Sequence, residues 1–232
     1  MTIRIGAGPL IRFNDDFAFF RNDVVREAHL TAIRRAGFEG VSLNPGTPRE
    51  VAAVHAALAR HGLEFIAPTH QLDLTRHKAD AVFAELHMQV RAAHALGATE
   101  VTVSEEPQVA FDTAGWERFG KRLAELAVCF ADHGVKLVYR PLPGSIAGNS
   151  TDVKTLLAVT PASVGIMLDV EILGHACCEI AIDHANRVAI VAPGADNDAL
   201  MTLLPDYKGW TMLDCVRDHS EDHITHLRTM AA

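Results

Sequence analysis

Three apolar runs in this chain each end in a charged residue: LVYR closes on Arg140, GIMLD on Asp169 and WTMLD on Asp214. Alternation along a strand puts Arg140 on the side of Val138, Asp169 with Gly165 and Met167, and Asp214 with Trp210 and Met212. If those sides face one interior, a permanent cation and two carboxylates converge. A guanidinium forks onto carboxylates, phosphates or a developing oxyanion, and a carboxylate accepts a proton or ligates an ion. An internal ion pair with no chemistry would use the same residues.

Further candidates lie at other run ends. His70 follows a Pro-Thr pair and could hydrogen-bond a hydroxyl or work as a general acid or base; an idle loop histidine reads the same way. Glu105 and Glu106 are adjacent, so only one can point to a given side of a strand. Glu171 lies just beyond Asp169. His175 and His184 are weaker candidates for the same site. His219, His223 and His226 share one helical face, a spacing that permits surface metal binding but equally fits a solvated outer helix.

The elements that must position these groups alternate strictly. Strands are expected at Ile3–Gly8, Gly40–Leu43, Leu63–Ala67 (with the chain end at Thr69–His70), Glu100–Ser104, Val135–Arg140, Val164–Asp169, Arg187–Ala192 and Gly209–Asp214. Helical spacing fills the intervals, at Asp23–Ala36, from Pro48 to His61, Arg76–Leu96 and Thr113–His133, with Gly37, Gly62, Gly97 and Gly134 as stops. Thr47 and Thr151 are expected to cap the second and fifth helices. Shorter helices are expected in the second half, at Cys177–His184 and Asp196–Leu204, with a last one at His219–Thr229. Such alternation implies a parallel sheet with right-handed crossovers, and eight units predict a single-domain (β/α)8 barrel over residues 1–232. An open doubly wound sheet is the alternative. GAGPL after the first strand lacks the full glycine fingerprint of a dinucleotide site. In a barrel, the reactive groups sit at the C-terminal strand ends.

Composition sets the outer limits. The net charge of −8 argues against a nucleic-acid partner, because such proteins carry a basic face. The four cysteines show no CxxC spacing, and Cys177 and Cys178 are adjacent, which reads as reduced thiols in a cytoplasmic protein. The first residues lack a signal-peptide core, and no apolar run reaches the roughly 18–20 residues of a membrane span.

Four phrases carry a family resemblance: AIRRAGFEGVSL (Ala32–Leu43), LGATEVTV (Leu96–Val103), VGIMLDVEILGHA (Val164–Ala176) and GWTMLDCVRD (Gly209–Asp218). With them the chain resembles the xylose isomerase-like TIM-barrel superfamily of sugar isomerases, epimerases and inosose dehydratases. The resemblance implies a sugar or polyol substrate, a homodimer, and a divalent metal (Mn, Mg, Co or Zn) held at the ends of strands five to eight. This chain departs from that pattern. Arg140, in Arg140-Pro141-Leu142, stands where the family has Glu or a His-rich corner; Ile172 replaces a His, Ala192 aligns with the strand-seven ligand, and Asp214 replaces a Glu. Only Asp169, and Asp214 by type, are left as oxygen ligands, so no cofactor is expected. Arg140 is expected to take the ion's electrostatic place, forking onto Asp169 or Asp214.

Two functions stand on these residues. One is an isomerase, epimerase or dehydratase that removes a proton next to a carbonyl, using Asp169, Asp214 or Glu105 as base, Arg140 as electrophile and His70 as acid, with Glu106 and Glu171 on the substrate. The other is a non-catalytic relative that binds a sugar-like or anionic molecule. The abasic-site endonuclease branch needs a cluster of zinc ligands and a basic face, and is set aside.

Overall fold

The computed structural model describes residues 4–7, 27–43, 48–67, 69–73, 78–105, 112–141, 145–169, 180, 188–191 and 210–213. Among the described residues, nine strands form one parallel sheet: β1 (Arg4–Ala7), β2 (Gly40–Ser42), β3 (Glu64–Ile66), β4 (Thr69–Leu72), β5 (Glu100–Glu105), β6 (Lys136–Tyr139), β7 (Gly165–Asp169), β8 (Val188–Val191) and β9 (Trp210–Leu213). Their order is β3-β2-β1-β9-β8-β7-β6-β5-β4. The two edges, β3 and β4, are consecutive in the chain and separated only by Ala67 and Pro68. The third barrel strand is therefore split. Its first part pairs with β2 and its second with β5, so the covalent chain links the two edges of the sheet. Proline has no N–H to give a ladder, which accounts for a break at this point.

That split corrects the expected strand end at Thr69–His70: the strand continues to Leu72. It also shifts the alternation. Ile66 joins the inner cluster, yet Thr69 and Gln71 are the residues in register with the inward Thr102 and Ser104.

Helices α1 (Glu27–Arg35), α2 (Pro48–His61), α3 (Ala79–Ala95), α4 (Thr113–Ala131) and α5 (Ser150–Val159) alternate with the strands as expected. In α3, Ala79, Val82, Leu86, Val90 and Ala93 recur every three or four residues and bury one stripe. The glycine stops hold: Gly37, Gly62, Gly97 and Gly134 all have φ between 61° and 97°, a left-handed conformation that other residues resist. The α5 cap is corrected. Asn149, not Thr151, precedes the helix, and its side chain accepts from the Asp152 N–H at 3.0 Å. At 10 residues α5 is shorter than α3 and α4, with 17 and 19.

Two cores result. The larger lies between sheet and helices and takes Ile5, Val41, Val103, Tyr139 and Ile166 from the strands. The smaller fills the barrel interior with Ile66, Val138, Met167 and Met212, against which Trp210 packs. Gly6 and Gly40 leave room for these side chains: a Cβ on Gly40 would meet Trp210 at 2.7 Å and Ile66 at 2.8 Å. Among the described residues no helix is long and apolar enough to cross a membrane.

Candidate functional site at the barrel mouth

Arg140 directly follows β6, and Val138, two residues earlier, belongs to the inner cluster. Its backbone N–H donates to the Val103 carbonyl at 2.8 Å, continuing the β5–β6 ladder by one residue. Alternation therefore directs Arg140 to the interior. Val103 pairs with Tyr139, so Ser104 is the neighbour of Arg140 on β5; on β4, Gln71 pairs with Ser104. Gln71, Ser104 and Arg140 thus form one row across three strands on the inner face. Ser104 is 1% exposed, and its hydroxyl has no hydrogen-bond partner among the described residues. Thr102 lies below it and Ser42 ends β2, both buried. This row was missed in the sequence, where the alternation V-T-V-S-E was its only signal.

Glu105 occupies the other face of β5. It shares alternation with Val101 and Val103, both in the core between sheet and helices. Its Oε1 accepts from the Tyr139 hydroxyl at 2.6 Å and from the Ile146 N–H at 2.9 Å. Its Oε2 is enclosed with no hydrogen-bond partner among the described residues. Burial pushes this carboxyl up to about 7, against the two hydrogen bonds, and the nearby Asp73 adds to the rise. The Tyr139 ring packs edge-on against Phe119 of α4 at 5.6 Å, and its hydroxyl is pushed well above the usual range by burial and by Glu105. The expectation that Glu105 serves as base beside Arg140 is corrected on this geometry: the two leave the sheet on opposite faces.

His70 pairs with Val103 and shares a face with Leu72, which packs in the outer core. It too lies away from Arg140. Burial lowers its imidazole to about 4, so it is neutral at neutral pH. Asp169 is the last residue of β7, in register with Val191 of β8. Glu106, Glu171, Ala192 and Asp214 lie outside the described residues, as do His175, His184, His219, His223 and His226.

The metal implied by the family resemblance meets a poor donor set here. Arg140 occupies the strand-end position where a ligand would stand, and guanidinium stays protonated and offers no lone pair. Ala192 brings no side-chain donor. Among the described residues, no three His, Cys, Asp or Glu side chains cluster as a metal site.

The sequence profile described as xylose isomerase-like TIM barrel matches residues 30–201. Rhizopine catabolism protein MocC of Rhizobium meliloti is 27% identical over 212 residues, covering 82% of this chain and 64% of that protein. Inosose dehydratase of Bacillus anthracis is 23% identical over 183 residues, covering 72% of this chain and 61% of that one. The chain thus spans less than two thirds of the length of these relatives. Among solved structures, the probable 3-DHS dehydratase AsbF of Bacillus anthracis superposes with a TM-score of 0.75, at 11% identity and 99% coverage of both chains.

Proposed function

The chain belongs to the xylose isomerase-like TIM barrel family, and we propose that it modifies a small polyhydroxylated carbonyl compound, a keto-sugar or cyclitol. The family and its relatives support a sugar-modifying enzyme, and the inosose dehydratases among those relatives favour the cyclitol class. The observation that carries the reading is Arg140 on the inner face at the end of β6, beside Ser104 and Gln71. A carboxylate, Asp169 or Asp214, removes the proton on the carbon next to the carbonyl. The bonding electrons move onto the carbonyl oxygen, where the Arg140 guanidinium stabilises the resulting enolate. Reprotonation on the other face gives an epimer; expulsion of a β-hydroxyl as water gives the dehydrated product. Glu105 and His70 take no part in proton transfer in this reading, because both lie on the outer face of the sheet.

A second reading follows from the same arginine. A cation where relatives are expected to carry a metal ligand also suits a non-catalytic protein that binds an anionic or sugar-like molecule. Solvent exchange separates the two. The purified chain is incubated in deuterated buffer with an inosose, a ketohexose or hydroxypyruvate, and deuterium at the carbon next to the carbonyl is followed by NMR. The enzyme reading expects incorporation with at least one cyclic or open-chain polyol. Saturable binding of these compounds without any incorporation would establish the binding reading instead.

A further inference from the structure

We propose that Glu105 is a positioning residue, whose carboxyl group ties Tyr139 to Ile146 and thereby fixes the corner that Tyr139, Arg140 and Ile146 form at the barrel mouth. Its importance for function rests on the reading of Arg140 given above; the tie itself does not.

The geometry is that of a staple. One oxygen, Oε1, receives the side-chain hydroxyl of the residue just before Arg140 and the backbone N–H of Ile146, where the chain returns to the core. These contacts join residues 34 and 41 positions away from Glu105 in the sequence. Both feet of the corner are anchored: Tyr139 is 0% exposed, Ile146 3% and Ala147 0%. The Ser145 side chain also hydrogen-bonds the Tyr139 hydroxyl. With the Arg140 N–H held by Val103, the departure of the corner from the sheet is set on one side by the ladder and on the other by Glu105. An acid committed to two donors on the outer face is poorly placed to reach a substrate in the interior, but well placed to aim the residue that does.

The titratable and charged groups facing Glu105 among the described residues are Tyr139 on β6, His70 on β4 and Asp73 just after β4. None of them supplies a positive charge at neutral pH, since the His70 imidazole is neutral there. The closed staple therefore favours the protonated carboxyl. Opening the corner to water restores the ordinary carboxylate, so ionisation loosens the staple and protonation closes it.

Hydrogen exchange on the full chain tests this without any substrate. Protection factors for the Arg140 and Ile146 backbone amides, referred to those of α3 and α4, are measured at pH 5 and pH 8 for wild type, Glu105→Gln, Glu105→Ala and Tyr139→Phe. In the wild type, protection of the corner is expected to fall at least tenfold from pH 5 to pH 8. Glu105→Gln, a neutral acceptor of nearly the same shape, is expected to hold the corner closed at both values. Glu105→Ala and Tyr139→Phe are expected to lose at least tenfold at pH 5 while α3 and α4 stay protected. The staple is refuted if Glu105→Gln shows the wild-type pH response, or if Tyr139→Phe leaves the corner as protected as before. Should Glu105→Ala fail to fold, Tyr139→Phe and Glu105→Gln decide alone. Where the chain turns over a carbonyl polyol, the Tyr139→Phe loss in kcat/KM should vanish in an Arg140→Ala background. A corner that loosens in Tyr139→Phe while Arg140→Ala turns over normally would uphold the staple and overturn the function assigned to Arg140.

Discussion

At the N-terminal end of the strands, the Arg4 guanidinium lies 3.9 Å from the centroid of the Trp210 ring and pairs with Glu64, while Glu100 stands in register with Lys136. At the C-terminal end, Arg140 stands beside Ser104, a buried hydroxyl without a partner among the described residues. Both ends use polar residues on the inner alternation of the strands. At the floor, each of these charges meets an opposite charge or an aromatic face, and Trp210 and Ile66 occupy the space left by Gly6 and Gly40. At the mouth, Gln71, Ser104 and Arg140 form a polar row across three strands, and the buried Ser104 hydroxyl has no partner among the described residues. The floor pairs its charges with one another, and the proposed function places the incoming polar molecule at the mouth.

That contrast can be tested from both ends. The largest effect is expected just behind the mouth. The Glu105 carboxyl is raised to about 7 in the fold, so its contribution to stability is full below the ordinary value of 4.5 and is lost as pH rises through about 7. Urea unfolding should show the stability of wild type relative to Glu105→Gln falling by on the order of 3 kcal/mol between pH 4.5 and pH 8. His70 works in the opposite sense. Its folded value is depressed to about 4, so its contribution is present above the unfolded value near 6.5 and lost as pH falls. In wild type the two slopes oppose each other between these limits, and Glu105→Gln should unmask the histidine's rise with pH.

Next in size is the floor. Gly40→Ala drives a methyl into Trp210 and Ile66, both packed in the inner cluster. A loss of about 1–3 kcal/mol in denaturant unfolding is expected, with ligand binding unchanged in the folded fraction. A neutral substitution would show that the floor is less tightly filled than its geometry implies. The smallest effect belongs to the floor's ion pair. Arg4 and Glu64 are 34% and 64% exposed, and screening by water limits Glu64→Gln to about 0–1 kcal/mol in the same assay. A cost well beyond that would make the pair a structural tie rather than a surface contact.

Much of this architecture is written in local residue chemistry. The four stop glycines mark left-handed positions that few other residues accept, and the apolar periodicity of α3 has one buried outcome. The Asn149 cap was harder to see: Asn149, Ser150 and Thr151 are all good caps, and only the backbone decides which side chain reaches the free N–H. The break at Ala67–Pro68 could be suspected from the proline, but the shift in alternation that turns His70 outward is a property of pairing with β5. Glu105 shows the same limit. V-T-V-S-E alternates, but on a strand buried on both faces the alternation does not say which set lies inside, nor which way its glutamate points. Arg140 was legible because the cation ends an otherwise apolar run, and the ladder it extends fixes its direction. The other expected members, Asp214, Glu106 and Glu171, fall outside the described residues.

In the proposed reaction Arg140 supplies the positive charge on which the chemistry depends. Solvent deuterium incorporation into an inosose, measured with wild type and Arg140→Ala in the presence and absence of a chelator, tests it most directly. The expected result is a wild-type rate insensitive to the chelator and a loss of about tenfold to a hundredfold in Arg140→Ala, the equivalent of one charge-assisted hydrogen bond. A rate that survives Arg140→Ala and disappears with the chelator, in protein carrying near one equivalent of bound metal, would contradict it.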